Sequence, residues 1–159
     1  MLKRPCPPRL NPSDETIQVG PTTIRFLLTG EDTGGSTAVF EFMVPAGERL
    51  LAPAHSHDHY EETVYGVDGV STFTVDGVPI DVGPGQAVCI PRGAVHRYDN
   101  NGSADFKGLC AITPAALGPQ FFREAGAIIA EATQGPPDRE KLMSLMRRNG
   151  ITPAPPPAA

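Results

Sequence analysis

Apolar residues in the first two thirds of the chain recur mostly at every second position, in short runs. This is the spacing of strands that bury one face. The runs are rich in β-branched and aromatic residues and are separated by Gly, Pro and Asp-Gly signals. They are TTIRFLLT, TAVFEFMV, ERLLAPAH, ETVYGV, VSTFTV, VPIDV, QAVCIP, VHRYDN and FKGLCAIT. Short strands at this spacing, with no helical periods between them, predict an antiparallel sandwich or barrel over residues 22–113.

The turn between two of these runs is specified by two residues. Asp76 and Gly77 separate FTV from VPI, and an Asp-Gly pair between strands is typical of a two-residue hairpin with positive φ angles. We therefore expect a hairpin at this position.

After Thr113 the apolar spacing becomes helical. It predicts two helices within residues 114–150, separated by Pro136 and Pro137, with Asp138 as the N-cap of the second helix. We expect them to form a helical hairpin that packs on the β structure or in a dimer interface. Its apolar stripes need a partner to bury them.

The two ends of the chain lack sustained periodicity. Residues 1–21 are rich in proline and predict an N-terminal arm that is extended or ordered only by docking. Residues 151–159 predict a proline-rich tail without regular structure. TTIRFLLT would then be an exposed edge strand unless something pairs with it or covers it.

Composition narrows the class of protein. The chain has 159 residues, 40% of them hydrophobic and 19% charged, which fits one globular domain with a buried core. The net charge is −5, and no run of basic residues exceeds two, so we expect neither nucleic acid nor a membrane surface as partner. No apolar stretch suits a signal peptide or a membrane span, which predicts a cytoplasmic protein.

The cysteines do not suggest a disulfide framework. Cys6, Cys89 and Cys110 are few and scattered, and none forms a CxxC pair. Cys89 and Cys110 lie in apolar runs and are predicted to be small buried residues.

The histidines are concentrated in one place. HSHDHYEE, residues 55–62, holds three of the four histidines in the chain. On a strand, His55 and His57 project from the same face, and Glu62 rejoins that face only if the chain bends or bulges between Asp58 and Glu61. We expect such a bulge.

The fourth histidine follows a separate turn signal. His96 can arrive from a neighbouring strand to join His55, His57 and Glu62. Imidazole and carboxylate ligands suit one divalent transition metal, namely Fe, Mn, Co, Ni, Cu or Zn. The alternative is a solvated polar turn together with a core histidine.

The segment around HSHDHYEE resembles a conserved motif of the cupin superfamily, G-x5-H-x-H-x3-4-E-x6-G. His55, His57, Glu62 and Gly69 match its spacings from the first histidine onward. The departure is Gly47, which precedes His55 at a longer spacing than the motif has and suggests a longer turn.

The second cupin motif, G-x5-P-x-G-x2-H-x3-N, is matched at every position. Its residues are Gly85, Pro91, Gly93, His96 and Asn100. The resemblance covers about residues 36–113 and implies an all-β fold, a single cupin antiparallel β-barrel of the jelly-roll type, here followed by the C-terminal helical hairpin. It implies a metal held by His55, His57, Glu62 and His96.

Other polar residues near the motifs do not occupy ligand positions. His59 is either a proton-transfer group beside the metal or a solvated turn residue, and Glu61 is expected at the surface. Arg92 and Tyr98 are expected to line the mouth of the barrel, unless Arg92 forms a surface salt bridge, and Tyr65 to face away from it.

The layout of barrel and helices is similar to that of bacterial quercetin-dioxygenase-like single-domain cupins. That resemblance implies a metal-dependent dioxygenase acting on a small enolic or flavonol-like substrate, with Glu62 as the catalytic base. Two alternatives remain open. One is a metal-dependent isomerase or lyase of a small carboxylate or sugar acid, and the other is a non-catalytic ligand-binding barrel. A homodimer is expected, because cupin barrels commonly pair.

Overall fold

The structure is a computed structural model, and it describes residues 7–11 and 14–155. Cys6, the beginning of the predicted arm and residues 156–159 of the predicted tail lie outside the described residues. The strands are β1 (Thr16–Val19), β2 (Thr22–Leu28), β3 (Ala38–Val44), β4 (His55–His57), β5 (Glu61–Asp68), β6 (Ser71–Val75), β7 (Val78–Val82), β8 (Ala87–Ile90), β9 (His96–Asp99), β10 (Phe106–Thr113) and β11 (Ile151–Pro153). The helices are α1 (Pro119–Ala130) and α2 (Arg139–Arg148).

The strands form two antiparallel sheets. One has the order β1-β2-β3-β10-β5-β8, and the other has the order β11-β4-β9-β6-β7. This arrangement confirms the jelly-roll prediction, but the two sheets do not join into a closed barrel. β8 is the last strand of the first sheet and β7 is the last strand of the second, and the described chain has no strand beyond either of them.

Alternating side chains from the two sheets fill the core. On β3 every second residue from Ala38 to Val44 is buried, and β10 alternates in the same way from Phe106 to Ile112. The ring of Phe106 lies 5.6 Å from that of Phe42 in its own sheet and 6.2 Å from that of Phe73 in the opposite sheet. Aromatic contacts of this length join the two sheets.

The sequence predicts most of these strands within one or two residues. The Asp76-Gly77 hairpin is confirmed, because Val75 pairs with Val78 and the two turn residues have φ angles of 47° and 81°. The run ERLLAPAH is the main exception. Only His55, its last residue, belongs to a strand, and the residues before it form an irregular loop.

Both chain ends carry strands that the sequence does not predict. Part of the expected arm forms β1, which pairs with β2 along Thr16–Val19, so the edge of TTIRFLLT is covered by the chain itself. The first three residues of the expected tail form β11. Neither strand shows an alternating pattern long enough to be recognised.

The two helices lie where the helical spacing predicts them. Asp138 caps α2 by accepting a hydrogen bond from the Lys141 amide at 3.1 Å. The ring of Phe122 in α1 packs 5.7 Å from Phe26 and 5.2 Å from Phe40, so α1 lies against the six-stranded sheet. Neither helix in the described part of the chain has the length and apolarity needed to cross a membrane.

Candidate metal centre

Three imidazoles meet on the five-stranded sheet. His55 and His57 project from the same face of β4, and His55 is the register partner of His96 on β9. The ring centroids lie 5.2 Å apart for His55 and His57, 4.6 Å for His55 and His96, and 4.7 Å for His57 and His96. One nitrogen from each ring lies within 4.8 Å of the others, a spacing suited to ligands of one metal ion.

A carboxylate reaches the same point from the other sheet. Glu62 lies on β5, and its Oε2 is 3.6 Å from His57 Nε2 and 3.5 Å from His96 Nε2. The expected bulge is a crossing between sheets: the chain bends at Asp58 and His59 and passes from β4 to β5. This crossing, and not a bulge within one strand, turns Glu62 toward the histidines.

Backbone carbonyls orient two of the imidazoles. Nδ1 of His55 is 3.0 Å from the Pro53 carbonyl oxygen, and Nδ1 of His96 is 3.2 Å from that of Ala94. A carbonyl can only accept, so Nδ1 carries the hydrogen and donates it in both rings. When these rings are neutral, Nε2 of each therefore keeps its lone pair for a metal.

The turn before His96 is tied to the strand of the other histidines. Pro91 starts this turn, with the Ala94 amide donating to its carbonyl at 3.1 Å. Gly93 has a φ of 81°, and its amide donates to the His57 carbonyl at 3.0 Å. A residue with a side chain is strained at this φ, so the glycine allows the link between the two motifs.

Burial keeps two of the histidines neutral. It lowers the pKa of His55 to about 3, helped by the nearby positive charge of His96, and it lowers the pKa of His57 to about 4 against the attraction of Glu62. Neutral imidazole is the form that binds a metal.

Glu62 and His96 stabilise the charged form of each other. Burial disfavours charge on both, but the contact with His96 and the neighbouring imidazoles lower the pKa of Glu62 to about 2, and Glu62 raises the pKa of His96. Glu62 is therefore ionised at neutral pH, which is the form that a metal ligand needs.

These residues fit a divalent transition metal. Three imidazoles and one carboxylate supply borderline ligands, two of the imidazoles have fixed tautomers, and the cluster is screened from solvent. The side chains of His57 and His96 are each 3% exposed. Burial of such polar and charged side chains in the core costs free energy unless they are paired with a hydrogen-bonding group or a cation.

An apolar cavity of about 110 Å³ lies over the cluster, and we call it the inner cavity. Its walls come from both sheets and from the two helices, including Phe42 of β3, Phe121 of α1 and Met146 of α2. The helices thus complete the cavity above the histidines. The helical spacing in the sequence predicts an apolar stripe but does not show what it covers.

The other sequence candidates divide between the cavity and the surface. Tyr98 lines the inner cavity, as expected. Arg92 does not, because its Nε lies 2.8 Å from Glu61 Oε1 in an exposed salt bridge. His59 is exposed, and Tyr65 is 45% exposed.

Cys110 is buried as predicted, but the prediction for Cys89 was wrong, since it faces outward on the edge strand β8.

Two residues beside the cluster have structural roles that the motifs do not indicate. The ring of Tyr60 stacks on His57 with centroids 4.4 Å apart, and its side chain is almost fully buried. Burial raises the pKa of Tyr60, which disfavours a proton-shuttling role. Ile151 of β11 is the register partner of His57.

The motif asparagine acts at a distance from the cluster. Asn100 is 1% exposed, and its side-chain amide donates to the carbonyls of Val44 at 2.9 Å, Pro45 at 3.1 Å and Ala104 at 2.9 Å. It therefore holds together the loops that end β3 and β9.

Residues 40–112 match the family described as Cupin domain. The chain is 29% identical to quercetin 2,3-dioxygenase of Bacillus subtilis over 112 residues, which is 70% of this chain and 32% of that protein. It is 34% identical to the protein SchB of Streptomyces halstedii over 100 residues, 62% of this chain and 70% of that one. The chain thus spans about a third of the dioxygenase.

Solved structures show the same fold. The structure of KdgF from Halomonas sp. matches with a TM-score of 0.55 at 15% sequence identity, over 63% of this chain and 86% of that protein.

Proposed function

Because this chain belongs to the cupin superfamily, we propose that it is a metal-dependent enzyme of the dioxygenase type that acts on a small enolic substrate. The metal would be held by His55, His57, Glu62 and His96. The observation that carries the proposal is the convergence of three imidazoles and an ionised carboxylate at the end of an apolar cavity. The similarity to a quercetin 2,3-dioxygenase supports the oxygen-dependent reaction.

A divalent transition metal bound here would supply a Lewis acid that lowers the pKa of a bound enol and a centre for oxygen chemistry. The chain itself would do the rest. Glu62 lines the cavity, and its carboxylate would accept the enol proton after it leaves the metal. The apolar walls exclude water and strengthen that interaction.

The first test is the metal content of tag-free protein, measured by elemental mass spectrometry for the wild type, His57→Ala and His59→Ala. We expect close to one Fe, Ni, Mn, Co or Cu per chain in the wild type and in His59→Ala, and loss of the metal in His57→Ala. His59 is the matched control, because it lies in the same segment but is exposed. Oxygen consumption with enolic substrates is the second test.

Different results select different functions. Bound zinc without oxygen consumption would favour an isomerase or lyase. Absence of metal from the wild type, even after it is offered, would contradict the proposal and favour a non-catalytic ligand-binding protein.

A further inference from the structure

The inner cavity has few polar groups besides the candidate ligands. Thr22 and Tyr98 supply hydroxyl groups to its wall, and its remaining lining side chains are apolar. Among the residues that the structure describes, no lysine or arginine lines it. A substrate can place one anionic oxygen on a metal, but a second anionic group would be buried without a cation. Such burial is strongly unfavourable.

Tyr98 offers a neutral donor in this wall. Its ring lies between those of Phe42, at 5.7 Å, and Phe73, at 6.0 Å. The hydroxyl of a tyrosine is protonated at neutral pH and can donate a hydrogen bond. Tyr98 lines the inner cavity, so its hydroxyl can donate to a carbonyl oxygen of a ligand bound there.

The size of the inner cavity limits the ligand further. Its volume of about 110 Å³ is below that of the ~150 Å³ apolar cavity that binds benzene in an engineered protein. A molecule of about one ring is therefore the largest that enters without displacement of the walls. The three rings of a flavonol exceed this space.

A second, more open cavity, which we call the outer cavity, adjoins the first. Leu50, Leu51, Ala52 and Ile129 line both. The outer cavity contains Arg49 and Arg97, so the cations lie on the far side of this shared wall. Leu51 is 41% exposed and can be truncated without opening the core.

We propose that the substrate is an uncharged enol of about one ring, with one oxygen for the metal, a second for the Tyr98 hydroxyl and no carboxylate or phosphate. This inference rests on the proposed function. It favours a small hydroxyketone over both a flavonol and a sugar acid.

Three probes with the same hydroxyketone group test it: maltol with one ring, 3-hydroxyflavone with three rings, and 5-hydroxy-4-pyranone-2-carboxylate with an added charge. Binding is followed by the visible spectrum of the cobalt-loaded protein and by calorimetry, and the cobalt retained is measured in each sample. We expect maltol to bind, and the carboxylate to bind at least about 100-fold more weakly. We expect 3-hydroxyflavone to bind more weakly than maltol despite its larger apolar surface.

The shared wall supplies a variant for the size limit. Leu51→Ala should join the two cavities and improve the affinity for 3-hydroxyflavone relative to that for maltol by at least about 10-fold. Val78→Ala is the matched control, because Val78 is 59% exposed and lines neither cavity.

The outcomes separate this inference from the proposed function. Three results with protein that binds cobalt would show that the substrate class is wrong while the metal site stands. They are a carboxylate probe that binds with the same affinity as maltol, a failure of maltol to bind, and tighter binding of 3-hydroxyflavone than of maltol to the wild type. If no cobalt binds, the proposed function fails and the substrate class fails with it.

Discussion

The two strands that carry the candidate ligands are supported very differently. β5, which bears Glu62, has eight residues and pairs along one edge with β10 and along the other with β8. β4, which bears His55 and His57, has three residues and, within the described chain, pairs with β9 through His55 and His96. The carboxylate thus lies on a well-supported strand and two of the imidazoles on a short one.

The C-terminal strand compensates for this difference. β11 pairs with all three residues of β4, and the amide of Asp58 donates to the carbonyl of Gly150 at 2.9 Å. The Thr152 hydroxyl donates to Asp58 at 2.8 Å, and Ile151 is 2% exposed. The order of the histidine strand therefore depends on a segment far away in sequence, whereas the glutamate strand is supported by neighbouring strands of its own sheet.

The largest effect should come from Ile151→Ala compared with Ile90→Ala. Both isoleucines are buried, and each is the register partner of a candidate ligand, His57 or Glu62. Each variant should lose about 2–5 kcal/mol of unfolding free energy in urea. Ile151→Ala should also weaken metal binding by about 10- to 100-fold, because β4 loses support for its histidines.

Ile90→Ala should change metal affinity by less than about 3-fold, since β5 keeps its pairing with β10. Competition with a chromophoric chelator, under conditions where both variants are folded, measures the two affinities. Equal losses of affinity would show that the two strands do not differ in this respect.

Glu62→Gln compared with Glu61→Gln is the next test. The same isosteric change removes a charge facing the imidazoles in the first variant and a charge in the exposed pair with Arg92 in the second. We expect Glu62→Gln to reduce metal affinity by at least about 10-fold and to abolish turnover. Glu61→Gln should leave both unchanged. Full metal affinity and turnover in Glu62→Gln would eliminate both roles of Glu62.

A pH series on the metal-free protein addresses the histidine strand. The pKa values of His55 and His57 are lowered to about 3 and about 4, so the unfolded chain binds more protons than the folded chain below its usual histidine pKa of about 6.5. Stability should therefore fall as the pH falls from about 6.5 to about 4, by at most about 1.4 kcal/mol per pH unit for each histidine.

The raised pKa of His96 offsets part of this loss. Urea midpoints at several pH values measure the slope, and His59→Ala should leave it unchanged. A metal-free protein with constant stability over this range would show that the two imidazoles are not held neutral by burial.

The smallest effect is expected for Arg92→Ala. The salt bridge with Glu61 is exposed, with 51% of the Arg92 side chain accessible. Such pairs contribute little, so stability should change by less than about 0.5 kcal/mol, with metal affinity unaltered. Chemical denaturation and metal titration check this. A large loss of metal binding would place Arg92 among the groups that support the histidines.

Several features could be predicted from the sequence because they depend on local spacing. Period-two runs gave most of the strands, and Asp76-Gly77 gave its hairpin, since both reflect which face of a strand is buried and which φ angles a turn needs. The spacing of His55 and His57 placed both on one face of a strand. The two motifs, taken together, predicted the convergence with Glu62 and His96.

Other features could not be predicted because they depend on segments that meet only in the folded chain. β1 and β11 are too short to show a period, and each is defined by the strand with which it pairs. The crossing at Asp58 and His59 required knowledge that β4 and β5 belong to different sheets.

The sequence by itself determined the candidate ligands, the type of strand on which each lies and the two helices, because side-chain chemistry and backbone periodicity are local properties. The tertiary structure decided which side chains surround those ligands. It placed the apolar stripes of α1 and α2 above the histidines, kept arginine out of the inner cavity and set β11 beside β4. Cavity volume, charge and strand support arise from contacts between distant segments, and no local pattern encodes them.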